Sequence, residues 1–484
     1  MPNPPPRLRP RWPIQVATLA LIPLLGLVGC AQLPSIDPLK PVKPVSAYET
    51  NRAFAGPSVA WPAARWWSDY GDAQLDALIE EALRDSPDMA AASARLSQAE
   101  AIAQVAGSPL LPQLGANLSA TEQKQSYNGL MPRSALPQGW NDYGQASLGF
   151  AWELDFWGKN RAGLAAAISQ REASRAEMAQ ARLSLAAAIA TEYAELSRLF
   201  AVRETAARSV EVRRKTAQLF DERFRNGLET RGSLDEAKSR LAIAEGDVLM
   251  LDEQIGLQRH RLAAWVGAGP DRGLRIERPT LRGDVAFGLP AALAADLLGR
   301  RPDIVAARLM VEAEASRIEQ KKAEFYPNVN LAALIGLQSL GLDLMHDGGS
   351  KFGSVGPAIS LPIFTGGRLR GELRSAAAGY DQAVANYDRT LAHALQDVAN
   401  AGLSQKALSA QLQKSRDAVA SAGEAHRVAR ERYQGGLANY LEVLSAEELL
   451  LGTQRAHAIL HARAFSLDVA LKHALGGGYS TETL

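Results

Sequence analysis

From Ala146 to Phe156 apolar residues occupy every second position: Ala146, Leu148, Phe150, Trp152, Leu154 and Phe156, with Gln145, Ser147, Gly149, Ala151, Glu153 and Asp155 between them. A period of two predicts a β-strand with one apolar face and one small or polar face. The pattern stops at Gly158, and the stretch beyond it is rich in Ala, Leu, Glu and Arg, with no proline before Pro270. A strand of about 10 residues, the length of a membrane-spanning strand, therefore runs into a helix too polar to cross a bilayer. Leu114, Ala116, Leu118 and Ala120 alternate upstream, and a long tip with Asn128-Gly129, Pro132 and Pro137 makes the two strands a hairpin.

Helices flank this hairpin. Structured sequence begins near Trp66-Trp67, and Asp72, Leu75, Leu78, Ile79, Ala82 and Leu83 mark a short amphipathic helix. A second helix follows Pro87, which fits a first-turn proline, and ends near Pro109. After the hairpin, Lys159 to about Arg225 reads as one helix, roughly 100 Å long if straight. Asn226-Gly227 reverses it. In the returning helix Leu241, Ala244, Val248, Leu251, Ile255, Gln258, Leu262 and Trp265 step by three and four as a heptad seam, with Gln258 its polar member. Gly267 to Leu289 is a loop-rich connector.

The whole arrangement then repeats. Asp85-Ser86-Pro87-Asp88 corresponds to Arg300-Arg301-Pro302-Asp303, and Leu111-Pro112 to Tyr326-Pro327. Val329, Leu331, Ala333, Ile335 and Leu337 mark one strand of a second hairpin, and Val355, Pro357, Ile359, Leu361 and Ile363 the other. Arg223-Phe224-Arg225-Asn226-Gly227-Leu228 matches Arg432-Tyr433-Gln434-Gly435-Gly436-Leu437, and the seam maps onto Leu450, Thr453, His457, Leu460, Ala464, Leu467, Leu471 and Ala474. A duplicated helix–hairpin–helix unit follows.

Four strands with apolar outer faces cannot close a barrel, and lipid tolerates no open sheet edge. The smallest membrane barrels have about eight strands, so at least two chains must share one barrel; the polar inner faces predict a wet interior. The N-terminus adds a membrane address. Arg7, Arg9 and Arg11 precede an apolar run from Ile14 to Val28, which ends in Leu27-Val28-Gly29-Cys30 and reads as a secretory signal. Residues 31 to about 60 are proline-rich and read as an extended tether. Lys plus Arg number 53 against 52 for Asp plus Glu, so net charge gives no argument for a nucleic-acid partner. The single cysteine excludes an internal disulfide and a cysteine-based metal cluster.

The stretches RRPDIVAARLMVEAEASRIEQKKAEFYPNVNL and LPIFTGGRLRGELRSA, together with WELDFWGKNR and the RYQGG turn, resemble the TolC-like outer membrane factors, and more narrowly the NodT-type outer-membrane lipoproteins of RND-type tripartite efflux systems. The resemblance covers about residues 66 to 475. It implies a mainly α homotrimeric tube: a twelve-stranded β-barrel in the outer membrane, four strands per chain, continued by a long α-helical barrel across the periplasm. It also implies a periplasmic adaptor and an inner-membrane RND-type pump as partners, with the outer-membrane lipid around the barrel. Leu27-Val28-Gly29-Cys30 resembles a lipobox, which would make Cys30 the lipidated first residue; the bland alternative is an ordinary cleavage site. Residues after the second turn would line the narrowest part of the resting tube. Leu441 matches the family's apolar ring and Tyr433 an aromatic that ties neighbouring helices. Ser445 stands where relatives often carry Asp, and Glu442 is a candidate for part of that acidic role. Leu441 has a second reading, as the first residue of a coiled-coil seam. The turns at Gly227-Leu228 and Gly436-Leu437 would dock the adaptor.

The expected organisation is a signal peptide over 1–29, a lipidated tether over 30–65, a first repeat over 66–286 with strands at about 113–123 and 144–156, a second over 287–475 with strands at about 328–338 and 352–364, and a tail over 476–484. Phe150, Trp152, Leu154 and Phe156 should face lipid, with Gln145, Ser147 and Glu153 toward the lumen. No catalytic constellation emerges, and no cofactor or metal is expected. His457 and His461 lie four apart on a helix, but position 458 is Ala and His457 sits in the seam, so the pair reads as structural. Gly348-Gly349, Gly353 and Gly356 lie in a hairpin rather than before a helix, which weakens a phosphate-loop reading. Glu447-Glu448 reads as a solvated helix face. Two function classes remain, a passive export duct and a periplasmic coiled-coil lipoprotein without a pore. The apolar strand faces favour the duct.

Overall fold

The computed structural model describes residues 34–280, 288–290 and 293–480. Cys30 and the signal stretch lie outside the described residues. Two compact units divide the chain. Among the described residues, one contains the chain up to Lys40, Ile102–Ile168 and Glu312–Gln382; the other contains Pro41–Ala101, Ser169–Val311 and the chain from Ala383 onward. Each draws on both sequence repeats.

The first unit is built on one antiparallel sheet, β1 (Gln113–Gln123), β2 (Asn141–Leu154), β3 (Asn328–Leu340) and β4 (Lys351–Ser360), in that order. Register places Leu114, Phe150, Ala333 and Val355 in one row and Ala116, Leu148, Ile335 and Gly353 in the next. Directly opposed residues share a face, so the apolar positions of all four strands fall on the same side. Leu114, Leu118, Leu148, Ile335, Val355 and Ile359 are exposed there. The other face carries rows such as Asn117, Ser147, Gly336 and Phe352, or Ser119, Gln145 and Gln338. Gly336 is required by space: a Cβ would lie 2.4 Å from the Ala146 carbonyl and 2.9 Å from the Phe352 ring.

Strand ends differ from the sequence expectation where a local group competes with the ladder. β2 stops at Leu154 rather than at 156, leaving Phe156 in the turn beyond it. The Asp155 carboxylate accepts the backbone N–H of Asn160 (3.2 Å) and of Arg161 (2.9 Å), capping the next helix instead of extending the sheet. Gly158 completes the turn at φ +78°. β4 stops at Ser360 rather than at 364, so Leu361 and Ile363 lie past it. Pro362 has no N–H for a ladder, and Gly366 and Gly367 turn at φ +59° and +88°.

Nine helices are described: α1 (Ala73–Asp85), α2 (Pro87–Gly107), α3 (Lys159–Arg225), α4 (Arg231–Trp265), the short α5 (Pro270–Leu274), α6 (Leu293–Arg300), α7 (Pro302–Ala323), α8 (Arg368–Gln434) and α9 (Tyr440–Ala474). No described helix is long and apolar enough to cross a membrane. The main core of the second unit joins Trp66, Tyr70, Leu75, Leu78 and Ile79 to Ile189, Tyr193 and Leu196 of α3, Leu262 of α4, and Phe465 and Val469 of α9. The α4 seam is buried at Ala244, Leu251, Ile255, Gln258 and Leu262. Gln258 is satisfied there, its Nε2 donating to the Glu192 carbonyl at 2.8 Å.

Buried polar groups fix this core. Asp72 caps α1 through the N–H groups of Gln74 and Leu75, and its carboxylate also accepts from the Tyr193 hydroxyl (2.9 Å) and the Thr280 N–H (2.7 Å). Arg301 is buried before α7 and donates to Asp303 (2.6 Å), Asp397 (3.1 Å) and the Ala474 carbonyl (3.3 Å). Burial, then the neighbouring Arg301, pushes the His473 imidazole below its usual range. Gly476 lies against this cluster at φ +85°, where a Cβ would meet the Arg300 carbonyl at 1.9 Å. The tether is laid down in part by backbone contacts: Lys43 N–H donates to Asp388 (3.4 Å), and Ser58 bridges Leu289.

Candidate functional site

The two reversals of the long helices are built alike. Leu228 N–H donates to the Arg223 carbonyl at 2.8 Å and Gly227 N–H to Phe224 at 3.0 Å; Leu437 N–H donates to Arg432 at 2.8 Å and Gly436 N–H to Tyr433 at 3.1 Å. This pairing ends a helix with a left-handed residue, and glycine supplies it at φ +71° and +73°. Thr230 then caps α4 through the Ser233 N–H, and Asn439 caps α9 through the Glu442 N–H, each at 3.1 Å. Leu228 and Leu437, which close the reversals, are 64% and 74% exposed.

Beneath the turns lies a small core of its own. Phe220 is fully buried and stacks on Tyr433 at 6.0 Å and 2°, with Tyr440 at 3.9 Å. Leu234, Ala237, Val443 and Leu444 complete it. Tyr433 is 5% exposed and donates its hydroxyl to Glu229 at 2.8 Å, while Arg223 stands over its ring at 4.9 Å. Burial, then the hydrogen bond to Glu229, pushes the phenol up to about 12. Tyr433 thus ties the end of α8 to the loop between α3 and α4.

Leu441 stands outside this core and is 66% exposed. It lines a broad cavity of about 1150 Å³ with Leu444, Ser445, Leu449 and Gly452 of α9 and Ala425 and Ala429 of α8. Glu442 is turned back: its carboxylate accepts from Arg432 at 3.1 Å, and Arg432 also donates to the Leu437 carbonyl at 3.2 Å. Glu442 therefore braces the second turn, and the exposed Ser445 lines the cavity wall without a charge.

The expectation for the glutamate pair fails in part. Glu447 is not on a solvated face but 3% exposed. Thr216 donates to it at 3.3 Å and Arg213 of α3 lies 3.7 Å away, with Arg213 Nη1 bonded to the Arg240 carbonyl at 3.1 Å. Burial pushes its carboxyl above the usual range, against the pull of Arg213. Glu448 behaves as expected, exposed and paired with Arg240 at 2.9 Å. Tyr440, Val443, Leu444 and Glu447 carry the helical three-and-four spacing, hidden in the sequence because its last member is charged. His457 contacts Ser415 at 3.2 Å while His461 is exposed. No cluster of metal-binding side chains occurs among the described residues.

At the strand–helix junctions the polar groups hold the chain where the sheet meets helix. Lys159 pairs with Glu153 at 2.5 Å, and Trp157 donates to the Pro327 carbonyl at 2.9 Å while stacking on Tyr326 at 4.7 Å. In the second repeat Arg368 (2.8 Å) and Lys321 (3.2 Å) bracket Glu372 and hold its carboxyl down to about 2.

A four-stranded sheet with one apolar face, attached to long polar helices with paired, capped reversals, defines the protomer of an outer-membrane channel with a β-barrel and a helical periplasmic tube. The family model for outer membrane efflux proteins matches residues 78–268 and 293–477, and the chain belongs to that family. Its sequence is similar to the multidrug resistance outer membrane protein MdtP of Escherichia coli, with 30% identity over 431 residues, 87% of this chain and 88% of that protein. The fusaric acid resistance protein FusA of Burkholderia cepacia is 39% identical over 344 residues, 68% of this chain and 64% of FusA. The crystal structure of the outer membrane protein VceC of Vibrio cholerae superposes with a TM-score of 0.82 at 48% identity, over 87% of this chain and all of that one. Channels of this family are trimeric and work with adaptor and pump partners.

Proposed function

We propose that this chain forms a homotrimeric, passive export duct, catalysing no reaction and receiving small toxic molecules from an RND-type inner-membrane pump through a periplasmic adaptor. The supporting observation is the sheet, with one face apolar and exposed and with β1 and β4 as open edges among the described residues. Such a sheet is stable in lipid only when its edges pair with other copies, and three copies give twelve strands. A coiled-coil scaffold without a pore has no use for that face.

In this reading Leu441 from three chains forms the apolar constriction of the resting tube, supported by its exposure outside the protomer's own core. Ser445 leaves the adjoining ring uncharged, and Glu442 acts on the turn through Arg432. Tyr433 and Glu229 latch the two helix ends, and opening breaks that latch. The exposed Leu228 and Leu437, each after its glycine, dock the adaptor. Cys30 carries the lipid anchor, which mass spectrometry of the mature N-terminal peptide tests; an unmodified Cys30 behind an intact signal sinks that part. Purified protein in planar bilayers tests the whole: conducting, detergent-requiring trimers are expected, and soluble non-conducting oligomers contradict the duct.

A further inference from the structure

The loop joining β1 to β2 is built differently from an inert connection. It leaves the sheet at the end opposite the strand–helix junctions, which in the duct reading above is the outer side of the membrane. Lys124 and Arg133 are its charged residues, and no Asp or Glu occurs between Gln123 and Asn141. Both cations stand on one ring, Lys124 at 5.6 Å and Arg133 at 4.9 Å from the centroid of Tyr127. Neither forms an ion pair with a described residue. The ring is held in place, its hydroxyl accepting the Gly139 N–H at 2.7 Å, and Gln138 Nε2 donates to the carbonyls of Arg133 and Leu136, each at 2.9 Å. Around this cationic centre Leu130, Met131 and Trp140 are exposed.

Two cations set against one aromatic ring, with no carboxylate in the loop itself, make the loop positive and suit it to an anion. An exposed tryptophan and two aliphatic side chains beside them suit the boundary between headgroups and acyl chains. We propose that this loop binds the phosphate-bearing headgroup of an outer-leaflet glycolipid, with Lys124 and Arg133 on the phosphate and Leu130, Met131 and Trp140 against the sugar and upper acyl chains. Three loops around the trimer then grip the surrounding leaflet and fix the barrel's depth. The loop between β3 and β4 carries Asp343 and Asp347 but no Lys or Arg, so it offers the phosphate no cation and the first loop supplies both.

Native mass spectrometry of the purified trimer, titrated with bisphosphorylated lipid A, tests this. Retained lipid A is expected to fall about 30-fold in K124Q/R133Q, from the loss of two headgroup cations, with trimer mass and ion conductance kept. On the unaltered protein, enzymatically dephosphorylated lipid A and phosphatidylcholine should bind as weakly as lipid A binds the variant, a comparison that needs no substitution. The proposal is overturned if the dephosphorylated lipid binds as well as the phosphorylated one. It is equally overturned if the variant retains lipid A unchanged, or if the variant loses its trimer while lipid A binding persists, which would make the cations a contact to Asp343 and Asp347 of a neighbouring copy.

Discussion

Tyr433→Phe isolates the latch from the core that carries it. The substitution keeps the ring, its stack on Phe220 and the arginine above it, and removes only the hydroxyl that donates to Glu229 at 2.8 Å. A hydrogen bond to a charged acceptor contributes about 1.5–3 kcal/mol. Arg223 remains 3.9 Å from Glu229, whose side chain is 15% exposed, so solvent and the guanidinium recover part of the loss. About 1–2 kcal/mol is left, equivalent to about 5- to 30-fold in the opening constant of the turn. Hydrogen exchange reads it directly, because the Gly227 and Leu228 N–H groups are bonded only within the reversal. They should exchange faster by that factor, with the amides of β2 and β3 unchanged. A change below about twofold at the turn, or equal acceleration in the sheet, refutes the assignment of the hydroxyl as a local latch.

Three further outcomes follow from the geometry. Asp155→Ala strips the cap from α3 and should cost about 1–2 kcal/mol, read as faster exchange at the Asn160 and Arg161 amides; unchanged exchange there contradicts the capping role. Phe150→Arg should destabilise the refolded barrel by roughly 2–4 kcal/mol if the residue lies near the bilayer midplane, and Ser147→Arg on the opposite face much less; equal costs would mean the faces are inverted. His473 has a depressed folded pKa against its ordinary 6.5, so its contribution is present above that value and is lost as pH falls through the folded pKa. The melting temperature should therefore drop on acidification from about pH 7 to about pH 5, and His473→Gln should flatten that segment of the profile.

Much of the sheet was legible because its signal is local. A period of two over a dozen residues survives without knowledge of partners, and the duplicated hairpin supplied a second reading of the same pattern. The ends of β2 and β4 were not legible, because Phe156 and Ile363 continue the alternation in sequence while Asp155 and Pro362 stop it in space. Gly227 and Gly436 were legible as turn residues, since a left-handed position before a returning helix favours glycine. The groups beneath them were not. Tyr433 and Glu229 come from opposite repeats, as do Arg213 and Glu447, and nothing in one stretch announces its partner in another. Glu447 misled for a second reason: adjacent glutamates on a helix are usually solvated, and only the packing of α3 against α9 reveals that one of them is enclosed.

The central claim is that the exposed Leu441 closes the tube rather than holding the protomer together. Single-channel recording of the Leu441→Ser trimer in a planar bilayer, beside the unaltered protein, tests it most directly. Removing three large apolar side chains from a constriction should raise conductance while leaving trimer thermal stability within about 0.5 kcal/mol per chain, as for a surface substitution. Unchanged conductance with a loss of about 2–5 kcal/mol, the cost of an emptied core leucine, would contradict the gate and make Leu441 a packing residue between helices.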